Sequence, residues 1–328
     1  MTQKSGAYVL RLLASVMACF WVIAAPASAQ GYPTKPIHLM VGFTASGIAD
    51  LTGRLIARQI ADNLGQSVVV ENRPGAGGAV ATERVATSPA DGYTLLYISA
   101  ADTVQPALRV KLPYDVERDL APVSLVMTAP FVLVAHPSLP ARDVRELIAL
   151  ARSKPGKMSS GYAGVGSGTH LAGALFYLMS KLNVVLVPYK GGAESTIATA
   201  SGEIEISFTS PAAALPLVDG RKLRALAVTT AKRASTMPSI PTINESGVPG
   251  YERANWFGIA APAGTPRDIV ARLNGAIIKG VAAPEIRDAF GKQGAEPQSN
   301  TPEQFATLIR GEIAQNIKLI KLTGVKPE

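Results

Sequence analysis

The sequence is poor in cysteine, aromatic residues and histidine, and each shortage excludes a class of chemistry. Its single cysteine, Cys19, lies inside an N-terminal apolar run, so residues 20–328 contain no thiol. Disulfides, cysteine nucleophiles, thiolate zinc sites and iron–sulfur clusters are therefore excluded from that part of the chain. Aromatic residues make up 6% of the sequence, which leaves few rings for stacking bases or sugars. The three histidines have no metal-site spacing, so we expect no metal and no cofactor.

Charge is also sparse, and it is not clustered. Lysine and arginine number 32 against 24 aspartate and glutamate residues, which gives a formal net charge of +8. Basic runs are no longer than a pair such as Arg221-Lys222, so no nucleic-acid partner is expected. A mildly basic surface that attracts small anions is the simpler interpretation.

The N-terminus has the pattern of a secretory signal peptide. Lys4 and Arg11 precede an apolar run over 12–25, and Ala27-Ser28-Ala29 follows as an A-x-A cleavage site. The run is shorter than the ~20 residues that a transmembrane helix needs. The sequence therefore predicts a signal peptide over 1–29, cleaved during export.

Short apolar segments alternate with helical patterns along the chain, which is typical of an α/β fold. Two such series join around 122–130 and again around 250–260. Two joins predict two lobes with a cleft between them, and ligands bind in such clefts, beyond the carboxyl ends of the strands. We place lobe 1 over 30–125 plus 258–328, and lobe 2 over 126–257.

Two loops link a strand to the start of a helix and are rich in small and hydroxyl residues. The first spans 44–50, and the second, glycine-rich loop spans 164–170. A helix start exposes unpaired N–H groups and the positive end of the helix dipole, so it attracts anions. Plain N-capping by serine and threonine is the alternative for either loop alone. The pair together favours a carboxylate site, with candidate residues Ser46, Gly47, Gly166, Ser167, Gly168 and Thr169.

Two further residues are candidates for ligand contact. His170 stands at a helix start in the second loop, whereas His38 and His136 belong to strand patterns and are expected to be structural. Thr209 ends another strand beside Ser210, and this is a third helix start that suits an anion.

Enzyme motifs are poorly represented. The patterns G-x-S-x-G, H-E-x-x-H and G-x-x-x-x-G-K-[ST] do not occur, and Thr169 occupies the third glycine position of G-x-G-x-x-G. Pairing Ser167 with His170 is the one nucleophile and base that an exported hydrolase could use, and this alternative stays open. The sequence favours a protein that is not an enzyme.

Seven short motifs then occur in a characteristic order and spacing. They are YPTKPI over 32–37, VENRPGAGG over 70–78, DGYTLL over 91–96, KLPYD over 111–115, VPYKGG over 187–192, LRALAVT over 223–229 and APAGTP over 261–266. Together they cover nearly the whole exported chain. In these motifs the chain resembles the Bug-type substrate-binding proteins of the tripartite tricarboxylate transporter systems.

The resemblance implies a fold, a function and a set of contacts. The fold is a two-lobed, type II-like periplasmic binding protein, in which each lobe is a mixed sheet flanked by helices. The function is capture of a small carboxylate in the periplasm by a monomer that delivers it to large and small membrane transporter subunits. A loaded receptor that signals to a sensor kinase is the alternative. Family members grip the carboxylate with both loops, which map here to Ala45, Ser46 and Gly47, and to Gly166, Ser167, Gly168 and Thr169.

Two departures from the family pattern bear on the ligand. Many members have F-P-P-G-G-x-x-D in the first loop, whereas this chain has Ser46 in place of a glycine. Many members also have aspartate after the strand that ends at Phe208, where this chain has Thr209. A carboxylate that would pair with a ligand ammonium is thus missing. We therefore expect a mono- or dicarboxylate without an ammonium group.

Overall fold

The computed structural model describes residues 31–45, 47–109 and 111–323. The predicted signal peptide over 1–29 and the candidate ligand residue Ser46 lie outside the described residues.

The described chain alternates strands and helices, as the periodicity predicts. The strands are β1 Ile37–Val41, β2 Val68–Asn72, β3 Thr94–Ser99, β4 Leu120–Pro130, β5 Val132–Ala135, β6 Ser159–Tyr162, β7 Val185–Pro188, β8 Ile206–Thr209, β9 Arg224–Val228, β10 Ala254–Pro262 and β11 Glu296–Pro297. The helices are α1 Ile48–Leu64, α2 Ala79–Ala86, α3 Gln105–Leu108, α4 Val116–Asp119, α5 Val144–Ser153, α6 Gly168–Ser180, α7 Gly192–Ser201, α8 Pro211–Asp219, α9 Arg267–Val281, α10 Pro284–Gly291 and α11 Pro302–Thr323.

The strands form two mixed sheets. The first has the order β11-β4-β10-β3-β1-β2, with β1 parallel to β2 and β3, and β10 antiparallel to β3 and β4. The second has the order β7-β6-β8-β5-β9, with β6 parallel to β7 and β8, and β5 antiparallel to β8 and β9. Two mixed sheets flanked by helices confirm the predicted fold class.

Helix α1 shows how the local sequence builds the first sheet's layer. Its apolar positions recur at helical spacing, so Ile56 and Ile60 are fully buried with Leu39 of β1. Burying each such side chain stabilises the fold by about 1.5–3 kcal/mol. The helix ends at Gly65, whose left-handed conformation (φ 73°) lets its N–H donate to the carbonyl of Ala61.

Helix α5 packs against the second sheet in the same way, and its own side chains cap its start. Asp143 caps it, and its carboxylate accepts the N–H of Glu146 at 2.8 Å. Glu146 in turn accepts the N–H of Arg142, the residue before the cap, at 2.7 Å, so the two side chains satisfy one amide of the first turn and one just before the helix. Leu147 and Ile148 then face the core of the second sheet.

The long C-terminal helix α11 belongs to both layers. Phe305 and Ile309 pack in a core of the first sheet, whereas Leu319 and Ile320 pack in the core of the second. Strands β4 and β10 pair with each other and occupy the two joins. Strand β4 continues the first sheet as far as Pro130, and β10 returns to that sheet from Ala254. The division into lobes at 125/126 and 257/258 stays a prediction. No helix in the described part of the chain is both long and apolar enough to cross a bilayer.

Candidate functional site

A cavity of about 410 Å³ lies between the two sheets. This volume falls in the range of small-molecule sites, about 300–1,000 Å³. Both sheets contribute to its wall, which consists of Phe43, Thr44, Gly47, Ile48, Ala49, Ser99, Ala100, Ala101, Val104, Phe131, Ala163, Ser167, Gly168, Thr169, Arg253, Ala254, Asn255 and Phe257.

The start of helix α1 forms one wall of this cavity. Gly47 is the N-cap residue, and its carbonyl accepts the N–H of Leu51 at 3.0 Å. Glycine has no side chain with which to cap the first turn. The start of this 17-residue helix, with the positive end of its dipole, therefore lies beside the cavity and favours an anion there.

A buried carboxylate holds this first loop in place. Asp50 is 4% exposed, and its Oδ1 accepts the Nε of Arg54 at 2.9 Å and the Nδ2 of Asn72 at 3.0 Å. The same Nδ2 donates to the carbonyl of Phe43 at 3.1 Å. Asn72 at the end of β2 therefore ties the loop that precedes α1 to the first turn of that helix.

The start of helix α6 forms the opposite wall. Ser167 is the N-cap, and its Oγ accepts the N–H of His170 at 3.2 Å. The Thr169 hydroxyl lies 3.0 Å from Ser167 Oγ and accepts the N–H of Ala163 at 3.0 Å. Both hydroxyls therefore hold the loop together, and both residues lie in the cavity wall, so the capping role and a binding role are compatible here.

Glycine is required at two positions of this second loop. Gly166 has φ 74°, and a Cβ there would lie 2.3 Å from Leu108 Cδ1. A Cβ on Gly168 would lie 2.4 Å from Phe131 Cζ. These contacts are far below the ~3.5–4.0 Å optimum for carbon atoms, so the loop packs this closely only without side chains.

His170 supports the loop from beneath and is not among the residues of the cavity wall. The imidazole is 2% exposed and stacks on Tyr162 with ring centroids 4.5 Å apart. Its Nδ1 accepts the N–H of Gly166 at 3.1 Å, which fixes the glycine turn. Burial lowers the pKa of His170 from 6.5 to about 4, so the ring is neutral at physiological pH.

The structure brings together four of the predicted site residues and separates the others. Gly47, Ser167, Gly168 and Thr169 meet at the cavity wall. The exposed Ala45, the buried Gly166 and the buried Thr209 lie outside that wall, together with His170. Thr209 is hydrogen-bonded to Thr196 through the two hydroxyls at 2.6 Å.

Sequence reasoning missed the end of β3 and the segment that follows it. Ser99, Ala100, Ala101 and Val104 line the cavity. Beneath them the buried Asp102 accepts both the N–H and the hydroxyl of Ser99, at 2.8 and 2.9 Å. Burial raises the pKa of Asp102. The sequence could in principle have indicated this part of the wall. Strand β3 is a parallel neighbour of β1, so its carboxyl end lies at the same edge of the sheet as the loop after β1.

The electrostatics of the cavity favour an anion. Arg253 is the one charged residue of its wall among the described residues, and two helix N-termini add positive partial charge. No group of three or more histidine, cysteine or acidic side chains in the described ranges could hold a metal ion. The remaining wall is mainly apolar, so it suits a small acid with a hydrocarbon body.

Comparison with a family model and with curated proteins identifies the relatives of this chain. Residues 52–325 match a model described as the tripartite tricarboxylate transporter family receptor, TctC. Protein BugT of Bordetella pertussis is 37% identical over 306 residues, which are 93% of this chain and 94% of BugT. These matches confirm the resemblance to the Bug-type proteins.

Solved structures agree with the sequence relatives. The structure described as R. palustris Rpa4515 with adipate is 36% identical, with a TM-score of 0.74 over 90% of this chain and 100% of that one. The periplasmic binding protein BugD is 31% identical, with a TM-score of 0.71 over 90% of this chain and 100% of BugD. The two-lobed periplasmic binding protein fold is thereby confirmed.

Proposed function

Because this chain belongs to the tripartite tricarboxylate transporter receptor family, we propose that it is a periplasmic receptor for a small carboxylate. The lobes close on the ligand, and the loaded receptor delivers it to the large and small subunits of a membrane transporter. The ligand is a mono- or dicarboxylate without an ammonium group.

One observation carries this proposal. Two helix N-termini, one belonging to the layer of each sheet, lie at the wall of the same cavity. Helix α1 brings the amides after Gly47, and helix α6 brings those after Ser167. Each end suits one carboxylate oxygen, because the N–H groups at a helix start and the positive end of its dipole both attract an anion. A ligand held between them contacts both lobes, so binding shifts the equilibrium toward the closed form.

The wall of the cavity supports the ligand class. The described wall contains no acidic side chain that would pair with an ammonium group. Thr209, which stands where many family members have aspartate, is buried and bonded to Thr196. Phe43, Phe131 and Phe257 would cover a hydrocarbon body. The structure of Rpa4515, a relative of this chain, is described with adipate.

The geometry does not favour the hydrolase alternative. Ser167 Oγ accepts the backbone N–H of His170, whereas the ring Nδ1 accepts the N–H of Gly166. Within the described chain, no hydrogen bond joins the ring to the Ser167 hydroxyl. A base that activates a serine needs that bond. The receptor interpretation is the one we retain.

A ligand screen tests the receptor proposal. The exported protein is mixed with C4–C8 diacids, the matching monoacids, tricarboxylates, aromatic acids and amino acids, and its thermal unfolding is followed. A ligand at 100 times its Kd adds about 2.7 kcal/mol to the free energy of unfolding, which gives a readable rise in Tm. A rise with one class of acid and none with amino acids supports the proposal. A flat response to every acid contradicts it.

Two cellular measurements test the remaining parts of the proposal. N-terminal sequencing of the periplasmic protein is expected to begin at Gln30 if the signal peptide is cleaved as proposed. Deleting the gene is expected to abolish uptake of the bound acid. If uptake persists and an acid-dependent transcriptional response disappears, the signalling alternative replaces delivery to a transporter.

A further inference from the structure

A buried carboxyl group without a counter-charge lies behind the cavity wall, at Asp102. The residue is 1% exposed and follows Ser99, Ala100 and Ala101, which line the cavity. No ion pair in the part of the chain that the structure describes includes Asp102. Burial raises the pKa of this carboxyl, whereas its hydrogen bonds lower it. Burying such a group destabilises the fold unless its oxygens are hydrogen-bonded, so its partners indicate its role.

Both oxygens of Asp102 accept hydrogen bonds, and the donors belong to two different elements. Oδ2 accepts the N–H and the hydroxyl of Ser99, at the end of β3, at 2.8 and 2.9 Å. Oδ1 accepts the hydroxyl of Thr82, on helix α2, at 2.6 Å. No residue of α2 is in the cavity wall. The side chain therefore joins the cavity segment after β3 to a helix that lies behind it.

The same carboxyl packs on the glycine turn of the VENRPGAGG motif. Gly78 ends that turn with φ 103°, and a Cβ there would lie 3.3 Å from Asp102 Oδ1. On the other side of the turn, a Cβ on Gly42 would lie 2.7 Å from the Cα of Gly78, so a side chain would push the two backbones apart. Gly42 directly precedes Phe43 of the cavity wall. Close contacts therefore run from Asp102 through the glycine turn to the loop before α1.

We propose that Asp102 is a positioning residue of the ligand site, which holds the segment after β3 and, through the glycine turn, the loop before α1 in the arrangement that receives the ligand. The proposal rests on the proposed function, because it takes this cavity to be the ligand site. Asp102 itself does not touch the ligand. It raises affinity because a wall that is ordered in advance spares the ligand the free energy of ordering it.

Two substitutions at Asp102 separate its hydrogen bonds from its volume. In D102N the amide oxygen can accept both Ser99 donors, while the amide N–H donates to Thr82, whose hydroxyl turns to the carbonyl of Gly78 at 3.2 Å. D102N should therefore bind within about 3-fold of wild type. D102A leaves the Ser99 donors without an acceptor, and binding should weaken by about 10-fold or more. The control D62N makes the same change at an exposed aspartate of α1 and should bind like wild type.

Helix α2 supplies a second test, away from the cavity. T82V keeps the shape of threonine but removes the hydroxyl that anchors Asp102, so binding should weaken by about 3- to 10-fold. The control T87V removes an exposed hydroxyl that donates to the carbonyl of Glu83, and affinity should be unchanged. Adipate, the acid described with Rpa4515, is the calorimetric probe. If adipate does not bind, the acid that wild type binds most tightly in the screen replaces it.

Hydrogen exchange distinguishes positioning from a general loss of stability. Without added acid, the amides over 99–107 should exchange faster in D102A than in wild type, while those of β6 and β8 should not change. On addition of the acid, protection over 99–107 should increase more in D102A than in wild type, because the ligand then orders what Asp102 no longer holds. A purely structural role would instead raise exchange throughout the first sheet, with no such gain on binding.

The outcomes are distinguishable from failure of the receptor proposal. The inference is overturned, and the receptor proposal left intact, if D102A binds like wild type, if D102N binds as weakly as D102A, or if T82V binds like T87V. Thermal unfolding shows whether each variant is folded, and if D102A is not, the comparison of T82V with T87V decides. A wild-type protein that binds none of the acids would remove the receptor proposal. Exchange over 99–107 would still show whether Asp102 orders the segment.

Discussion

Acid is expected to loosen the glycine loop beside the cavity by protonating His170. The neutral ring accepts the N–H of Gly166 through Nδ1 and stacks on Tyr162. A proton on Nδ1 removes this acceptor and places a charge where the side chain is 2% exposed. The turn that positions the start of α6 then loses its support, so the native state and the binding site are affected together.

The size of the effect follows from the pKa of His170. Burial lowers this pKa to about 4 in the folded chain, against 6.5 for an accessible histidine. Below pH 6.5 the unfolded chain therefore binds the proton more readily than the folded chain. The stabilisation is complete above pH 6.5, falls as pH decreases and is lost below pH 4. The loss from this one group amounts to about 2 kcal/mol at about pH 5.

Urea unfolding of wild type and of H170N measures this contribution. Asparagine keeps an acceptor near the position of Nδ1 but does not titrate, so it removes the proton linkage. Between about pH 7.5 and about pH 5, the free energy of unfolding of H170N should fall by about 2 kcal/mol less than that of wild type. The control H136N changes a half-buried histidine bonded to Ser138 and should keep the wild-type difference.

A direct titration checks the cause. The ring signals of His170 in an NMR titration should change near pH 4, and not near 6.5. Ligand affinity in wild type should decrease over the same range as the loop loses its bond. The reasoning is refuted if H170N and wild type lose equal stability on acidification, or if His170 titrates near 6.5.

Three further substitutions have expected outcomes. G168A places a Cβ 2.4 Å from Phe131 Cζ, so calorimetry should show at least about 10-fold weaker ligand binding. N72A removes the amide that donates to Asp50 and to the loop carbonyl, so urea unfolding should show a loss of about 2 kcal/mol. G311A lies inside helix α11 with open space around the new Cβ, and it should raise the free energy of unfolding by about 0.5–1 kcal/mol.

Matched variants serve as controls for the weaker binding of G168A and the lower stability of N72A. G192A adds a Cβ that meets no atom within 4 Å, and ligand affinity should be unchanged. N63A removes an exposed amide of α1 that donates to the carbonyl of Gln59 at 2.8 Å and more distantly to that of Ala276 at 3.5 Å, and the change in stability should stay below about 0.5 kcal/mol. If G168A binds as tightly as G192A, or if N72A is as stable as N63A, the corresponding packing argument is wrong.

Much of the fold was predictable because its signals are local. The helical spacing of apolar residues before Gly65 is readable from adjacent residues, and so is the amphipathic pattern after Asp143; the structure has α1 and α5 there. Strand bounds were less accurate. Strand β10 runs from Ala254 to Pro262, and its first residues gain their order from pairing with β4. Pairing with a distant strand leaves no local pattern in the sequence.

The candidate site was predictable only where the residues of a single loop are enough to indicate binding of an anion. Gly47, Ser167, Gly168 and Thr169 stand at helix starts, and a helix start is readable from the adjacent residues. His170 carries the same signal, yet the structure buries it under Gly166, because the direction of a side chain depends on the packing around it.

The sequence by itself determined the family, the alternation of strands and helices, and the two loops whose amides suit an anion. Only the tertiary structure decided which residues share the cavity. It placed the end of β3, the segment after it and Arg253 in the cavity wall. The physical reason is that capping and periodicity depend on neighbours in sequence. Burial and unpaired donors depend on groups that lie far apart in the chain, and they exist only once both sheets and helix α11 have packed.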